Sequence, residues 1–347
     1  MKTSLVVEKG NAYLLTDVFS RRYFSGIENQ EGIVLITQDK TFYFADARYY
    51  YALAQKLRGK DCQAVLYTGL DSVNQLLKEK GVKTLFIDYD VTTLTEYQQY
   101  KTFGVEIKDG GKLLKECRKQ KTAKEIQSIK QACQIAKDAF DYILPFIKEG
   151  VSETSIKNRL ERFMKKQGAS APSFETIVAF GENSAVPHHE TGNTRLKKNQ
   201  AVLLDYGCVV EGYCSDITRT VFFGEPSKEF KTAFYQVAEA NLLGMDRASA
   251  GKSVKEVDGE VREFFKSQGV EEYFTHSLGH GIGLQIHEEP YLSKRGEGQL
   301  KENYVFSIEP GLYYNGKFGI RIENTVMIQN GEAVSLTGNG RELIIIK

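Results

Sequence analysis

The chain has 347 residues, roughly two domains' worth and enough to bury sizeable cores. Its net charge of +1, with acidic and basic residues interspersed, argues against a nucleic-acid or anionic-membrane partner. No apolar run reaches transmembrane length, so no membrane partner is expected. The short apolar run before Glu8 and Lys9 is too brief for a signal-peptide core. The five cysteines (62, 117, 133, 208 and 214) are odd in number and never spaced CxxC, which suits a reduced, cytoplasmic setting.

Residues 1–117 alternate strand and helix signals. Strands are expected at 11–16, 32–37, 41–45, 63–67 and 83–87, and helices at 48–58, 72–79 and 94–101. That pattern predicts a small α/β domain. It holds no GxGxxG or GxxxxGK[ST] loop for phosphate. The aromatic string Phe42, Tyr43, Phe44, Tyr49, Tyr50, Tyr51 reads as core and interface rather than as a ligand groove.

A polar run, Cys117-Arg-Lys-Gln-Lys-Thr122, marks a boundary, giving domains at 1–117 and 118–347. Thr122 and Glu125 form a capping box opening a long helix, with apolar residues at helical spacing as far as Ile143. Glu149-Gly150 is expected to end that helix, and Ser152 with Glu153 to open a second one, to about Gln167. A loop at 181–195 follows. Strands at 201–210 and 213–223 then flank Glu211-Gly212, a two-residue hairpin connection. Such a turn pairs Val210 with Tyr213 and Gly207 with Asp216. Asp205 and Gly207 share a sheet face by alternation, with Asp216 diagonal to Asp205 on it. Two carboxylates thus converge over a glycine. Solvated acids on an exposed face are the competing explanation for this pair taken alone. Cys208 and Cys214 read as small buried strand residues rather than as ligands. Helices at 228–248 and 253–268 and strands at 304–309, 320–329 and 343–346 complete the chain.

All five histidines lie between 188 and 287. His276, His280 and His287 fall in one glycine-rich segment, in which Gly279, Gly281 and Gly283 bracket His280. Beyond it, Glu309 and Glu323 sit in strand-framed positions, with Arg321 on the face of Glu323. Two aspartates, two glutamates and a histidine form an oxygen-rich set suited to Mn2+, Co2+, Zn2+ or Fe2+. Four carboxylates sum to about −4, which two divalent ions neutralise and one does not. Two ions that share a water point to hydrolysis.

The order Asp205, Asp216, His280, Glu309, Glu323, set within VPHHE, LLDYG, SDITRT, SLGHGIGLQIHEEP, SIEPGLY and GIRIEN, resembles the prolidase / aminopeptidase P / methionine aminopeptidase superfamily. The resemblance covers residues 120–347. Residues 1–117, chiefly through Phe-Ala-Asp-Ala-Arg-Tyr49, resemble a creatinase-type N-terminal domain. The fold this implies is α/β (α+β): a pita-bread catalytic domain after a smaller α/β domain. The activity implied is dinuclear metal-dependent hydrolysis of the bond between an N-terminal residue and proline, as in Xaa-Pro dipeptidases. Aminopeptidase P action on longer peptides is the alternative; methionine aminopeptidase and a non-catalytic binding homologue rank below it.

By the same resemblance, Asp205 chelates one metal and His280 with Glu309 the other, while Asp216 and Glu323 bridge both. The metal is expected to be Mn2+, with Co2+, Zn2+ or Fe2+ as alternatives. His188 is the substrate-side histidine and His189 a neighbour without that role. His287 stabilises the developing oxyanion, and Glu309 also takes the proton of the bridging water. His276 shapes the substrate site, and Arg321 holds the site acids or a substrate carboxylate. A proline-containing peptide is the expected substrate and a homodimer the expected assembly. Two departures stand out: Tyr291 follows the proline of HEEP where several prolidases carry arginine, and Asn324 stands where aspartate is common.

Overall fold

The computed structural model describes residues 5–28 and 31–347. The chain divides into two compact units, Met1–Arg118 and Lys119–Lys347. Among the described residues, the first unit carries a six-stranded sheet. Its order is Cys62–Leu66, Thr41–Ala45, Ile33–Thr37, Asn11–Leu15, Thr84–Ile87, Glu106–Asp109. Tyr43 packs into one of its cores and Phe42 and Phe44 into the other, as the alternation of strand side chains requires. Phe42, Tyr43 and Phe44 are therefore core, whereas Tyr49 and Tyr50 are half-buried and Tyr51 is exposed. The helix Val18–Ser25 has no counterpart in the sequence reading. Asp17 caps it, its carboxylate accepting from the amides of Phe19 and Ser20.

In the second unit the Thr122/Glu125 capping box opens the helix Ala123–Ile143. This helix stops short of Gly150. Pro145 has no N–H to continue the ladder, and the chain passes into a single 3-10 turn, Leu144–Phe146. Ser152 caps the next helix, Glu153–Lys166. Both helices pack on Val202, Leu204, Ile217 and Val221. A second pair, Lys228–Arg247 and Val254–Ser267, covers Ala201, Phe222, Val326 and Ile328. The sheet between them runs Glu288–Leu292, Gly279–Gly281, Val305–Ile308, Glu323–Gln329, Ile217–Phe223, Gln200–Tyr206, Ile177–Phe180. Odd positions of Gln200–Tyr206 face the second helix pair at one end and, at Asp205, an open cleft at the other.

The first hairpin turns as expected. Glu211 and Gly212 both have positive φ, 48° and 76°, the type I′ geometry that matches strand twist. Val210 pairs with Tyr213, and the same register continues to Thr218 opposite Asp205. The role expected of Gly207 needs correcting. A Cβ there would lie 1.9 Å from the Ser215 carbonyl oxygen and 2.4 Å from Ser173 Oγ, so glycine permits a close backbone crossing rather than leaving room between carboxylates. The hairpin's tip, Cys208–Val210, pairs with Ala171–Pro172 in a separate small sheet. Gly207→Ala is expected to destabilise the protein by at least about 2 kcal/mol, read as a lowered denaturation midpoint. An unchanged midpoint would show that the crossing can relax.

The second hairpin resolves a conflict of register. A two-residue turn at Asn315-Gly316 would turn Glu309 and Glu323 to opposite faces, so a longer loop or a bulge is expected. The loop is longer by one residue. Tyr314 pairs with Phe318 and Gly311 with Arg321. The run read as one strand at 320–329 breaks at Ile322, giving Phe318–Arg321 in a two-stranded ribbon and Glu323–Gln329 in the main sheet.

Candidate metal centre and the cleft above it

Strand register assembles the site. Asp205 pairs with Thr218, and Thr218 with Glu323, so three adjacent strands present these side chains in one row. Ile308 pairs with Asn324, which sets Glu309 level with Glu323 just beyond the end of that ladder. Asp216 lies two residues before Thr218, on the same face. On the next strand, the amide of His280 donates to Ser307 Oγ at 3.0 Å, and the amide of Glu309 to the Leu278 carbonyl at 2.9 Å. His280 Nε2 comes within 3.3 Å of Glu309 Oε1 and 3.6 Å of Asp216 Oδ2. Asp216, His280 and Glu323 each bring a ligand atom within 4.8 Å of the others.

These groups are buried and mutually repulsive. Burial, followed by the charges of Glu323 and Asp205, pushes the Asp216 carboxyl well up. Burial and Glu323 do the same to Glu309. Glu323 is raised to about 7 by burial and then by Asp205. Burial, with His287 next, holds the His280 imidazole down to about 3, leaving it neutral and able to act as a ligand. Among the described residues none donates to Asp205 Oδ1, Asp216 Oδ1 or Glu323 Oε1, all buried. Buried carboxylate oxygens left without donors are costly. Divalent cations would satisfy all three, so the donor set fits the metals that the sequence implies.

The remaining expected residues line the cleft above, a space of about 850 Å³ that includes His188, His276, His287, Tyr291 and Arg321. Arg321 is committed to one site acid and two hydroxyls: its Nη2 donates to Asp205 Oδ2, its Nη1 to Tyr313 Oη and its Nε to Thr218 Oγ1. His276 Nε2 meets the same Tyr313 hydroxyl at 2.8 Å. Burial first, and then Arg321, lowers His276 to about 3. The rings of His280 and His287 pack edge to face, 4.3 Å apart.

The sequence profile of metallopeptidase family M24 matches residues 127–330, well over half of the chain. The chain belongs to metallopeptidase family M24. Residues 3–120 match the creatinase/prolidase N-terminal domain. A curated Xaa-Pro dipeptidase from Pyrococcus furiosus is 35% identical, covering 93% of this chain and 92% of its own. A solved Xaa-Pro dipeptidase from Bacillus anthracis is 38% identical, covers 96% of this chain and 95% of its own, and superposes with a TM-score of 0.92. An X-Pro aminopeptidase from Thermotoga maritima is 34% identical, covers 97% of both chains and has a TM-score of 0.87. The fold is the pita-bread catalytic fold preceded by a creatinase-type α/β domain, as the sequence motifs implied.

This M24 peptidase uses residues that motif reading passed over. Thr218 donates to Glu323 Oε2 at 2.7 Å, and Ser307 to Glu309 Oε1 at 3.0 Å, each orienting a carboxylate. Thr218 was within reach of register counting, since the expected hairpin already pairs it with Asp205. Tyr313 sits in the three-residue hairpin, which the sequence left open. His189 proves to be more than a bystander: its Nε2 lies 3.0 Å from the buried Glu153 carboxylate. Asn324 uses both ends of its amide, accepting from Arg219 and donating to Asn241. An aspartate there would lack the donor that Asn241 Oδ1 needs. Cys208 and Cys214 are buried in the cores, as expected.

Proposed function

We propose that this M24 peptidase is a dinuclear Xaa-Pro dipeptidase, cleaving the amide bond between an N-terminal residue and proline. The observation that carries the reading is the set of three buried carboxylate oxygens without donors among the described residues, beside a neutral histidine, at the floor of a peptide-sized cleft. Asp205 would hold one metal, His280 and Glu309 the other, with Asp216 and Glu323 shared between them. Mn2+ is the first choice, and Co2+, Zn2+ or Fe2+ are the alternatives. When bound, the ions supply Lewis-acid polarisation of the scissile carbonyl and make water acidic near neutral pH.

The protein's own groups do the rest. The Glu309 carboxylate, oriented by Ser307, accepts the proton of the attacking water and passes it to the leaving proline nitrogen. His287, whose protonation is disfavoured first by burial, donates to the oxygen on which charge develops. His188, exposed at the cleft wall, contacts the substrate. Arg321 holds Asp205 in place, which leaves its guanidinium no free donor pair for a substrate carboxylate. In this reading residues 1–117 form the accessory domain and 118–347 the catalytic domain, of a cytoplasmic homodimer.

The test is turnover of Xaa-Pro dipeptides against Xaa-Pro-Yaa tripeptides with added Mn2+. Faster cleavage of the dipeptides is expected; tripeptide preference would favour aminopeptidase P, and no turnover of either would sink the proposal. His188→Ala and His287→Ala are expected to keep their metals and to lose on the order of 10²–10³-fold in kcat. Full activity in the His287 variant would remove it from the chemistry.

A further inference from the structure

The loop that carries His188 has few regular backbone hydrogen bonds of its own, yet it must hold an exposed imidazole at the cleft wall. Thr154, Thr191 and Ser184 each tie it at one place, but one side chain grips it on both sides of His188. Glu153, at the first position of the helix Glu153–Lys166, is fully buried. Its Oε1 accepts from the amide of Phe180 at 2.9 Å and from Asn183 Nδ2 at 2.8 Å. Its Oε2 meets His189 Nε2 at 3.0 Å and the amide of Gly192 at 3.1 Å. Two of these donors precede His188 in the chain and two follow it. A buried carboxylate with four donors at a helix N-terminus is charge-stabilised and geometrically specific. No metal ligand touches it.

We propose that Glu153 is a positioning residue: it fixes the loop on both sides of His188 and thereby aims that imidazole into the cleft. The proposal rests on the Xaa-Pro peptidase reading for what His188 does, but not for how the loop is held. His189 is then the nearest of the four anchors, and the adjacent histidines divide the work, one facing substrate and the other facing the carboxylate. A glutamine at 153 keeps the volume but replaces one acceptor oxygen with an NH2 group, which sets a donor against a fixed backbone donor at Phe180 or Gly192.

The test uses the intact, Mn2+-loaded protein and an Xaa-Pro dipeptide. Glu153→Gln is expected to retain wild-type metal content and to lose on the order of 10–100-fold in kcat, with KM changed less than about threefold. In a His188→Ala background the same change should cost less than about threefold, because its effect acts through His188. Equal losses in both backgrounds, or no loss in kcat, would overturn the proposal. Should Glu153→Gln fail to fold, His189 carries the test. His189→Gln keeps an N–H donor and should stay within about threefold of wild type, whereas His189→Ala should fall about tenfold; equal activity of the two variants would overturn it. Hydrogen exchange read without substrate separates this proposal from the function itself. Protection at 183–192 should drop in Glu153→Gln, or in His189→Ala, while strand Gln200–Tyr206 keeps its own. Unchanged protection refutes the positioning role even in a protein that cleaves no Xaa-Pro bond. Lost protection in such a protein upholds the role and leaves only the substrate reading at fault.

Discussion

Replacing Asp216 with alanine is expected to abolish both metal retention and peptide cleavage, with activity down on the order of 10³-fold or more. Asp216 sits where three independent constraints meet. It shares a sheet face with Asp205 and Thr218, it lies 3.6 Å from His280 Nε2, and its Oδ1 has no donor among the described residues. A side chain so placed reaches both the Asp205 side and the His280 side of the site. On the proposed assignment its loss would remove a shared ligand rather than a peripheral one, and Glu323→Ala should behave alike. Elemental analysis of the purified variants is the measurement. Two tightly held ions in the Asp216→Ala protein would refute the shared assignment, even with activity gone.

Removing the metals should make stability depend on pH in a direction that the buried acids dictate. Glu323 is raised from the ordinary 4.5 to about 7, first by burial, and Asp216 and Glu309 move the same way. An acid with a raised folded pKa binds its proton more tightly folded than unfolded. Its contribution is complete below the unfolded value and is lost as pH climbs through the folded one. His276 and His280, held down to about 3, and His287, also lowered, act oppositely until the unfolded imidazoles have lost their protons, at about pH 7.5. Beyond that point the raised carboxyls set the direction. Chelated protein should therefore lose stability as pH rises above about 7.5, read as a falling Tm. Saturating Mn2+ should cancel the slope and add about 2–3 kcal/mol of its own at a hundredfold excess over Kd. Equal melting temperatures with chelator and with Mn2+ at pH 8 would exclude a metal at these carboxylates.

The two hairpins show how much of the site was legible and why the rest was not. In the first, Glu211-Gly212 specifies a turn whose register can be counted back, and the counting reaches the pair Asp205 and Thr218 correctly. In the second, the demand that Glu309 and Glu323 share a site excludes the two-residue turn that Asn315-Gly316 suggests, and the chain spends one more residue, Lys317. Counting could show that something must give, but not where. The break at Ile322 depends on outside contacts: its amide donates to the Pro310 carbonyl, and Asn241, from the helix Lys228–Arg247, donates to the carbonyls of Ile308 and Ile322. No local pattern announces such a clamp.

What the sequence by itself determined was the chemistry and the family: residue types, their order, the capping boxes and the first turn are all properties of short stretches. What only the tertiary structure decided was the support. Glu153 finds four donors spread across residues 180–192, Thr218 orients a glutamate 105 residues away, and Arg321 is spent on Asp205 rather than left for substrate. The physical reason is that hydrogen-bond partners of buried charges are chosen by proximity after folding. Spacing along the chain carries a side chain's chemistry and its sheet face, but not which buried neighbour will satisfy it.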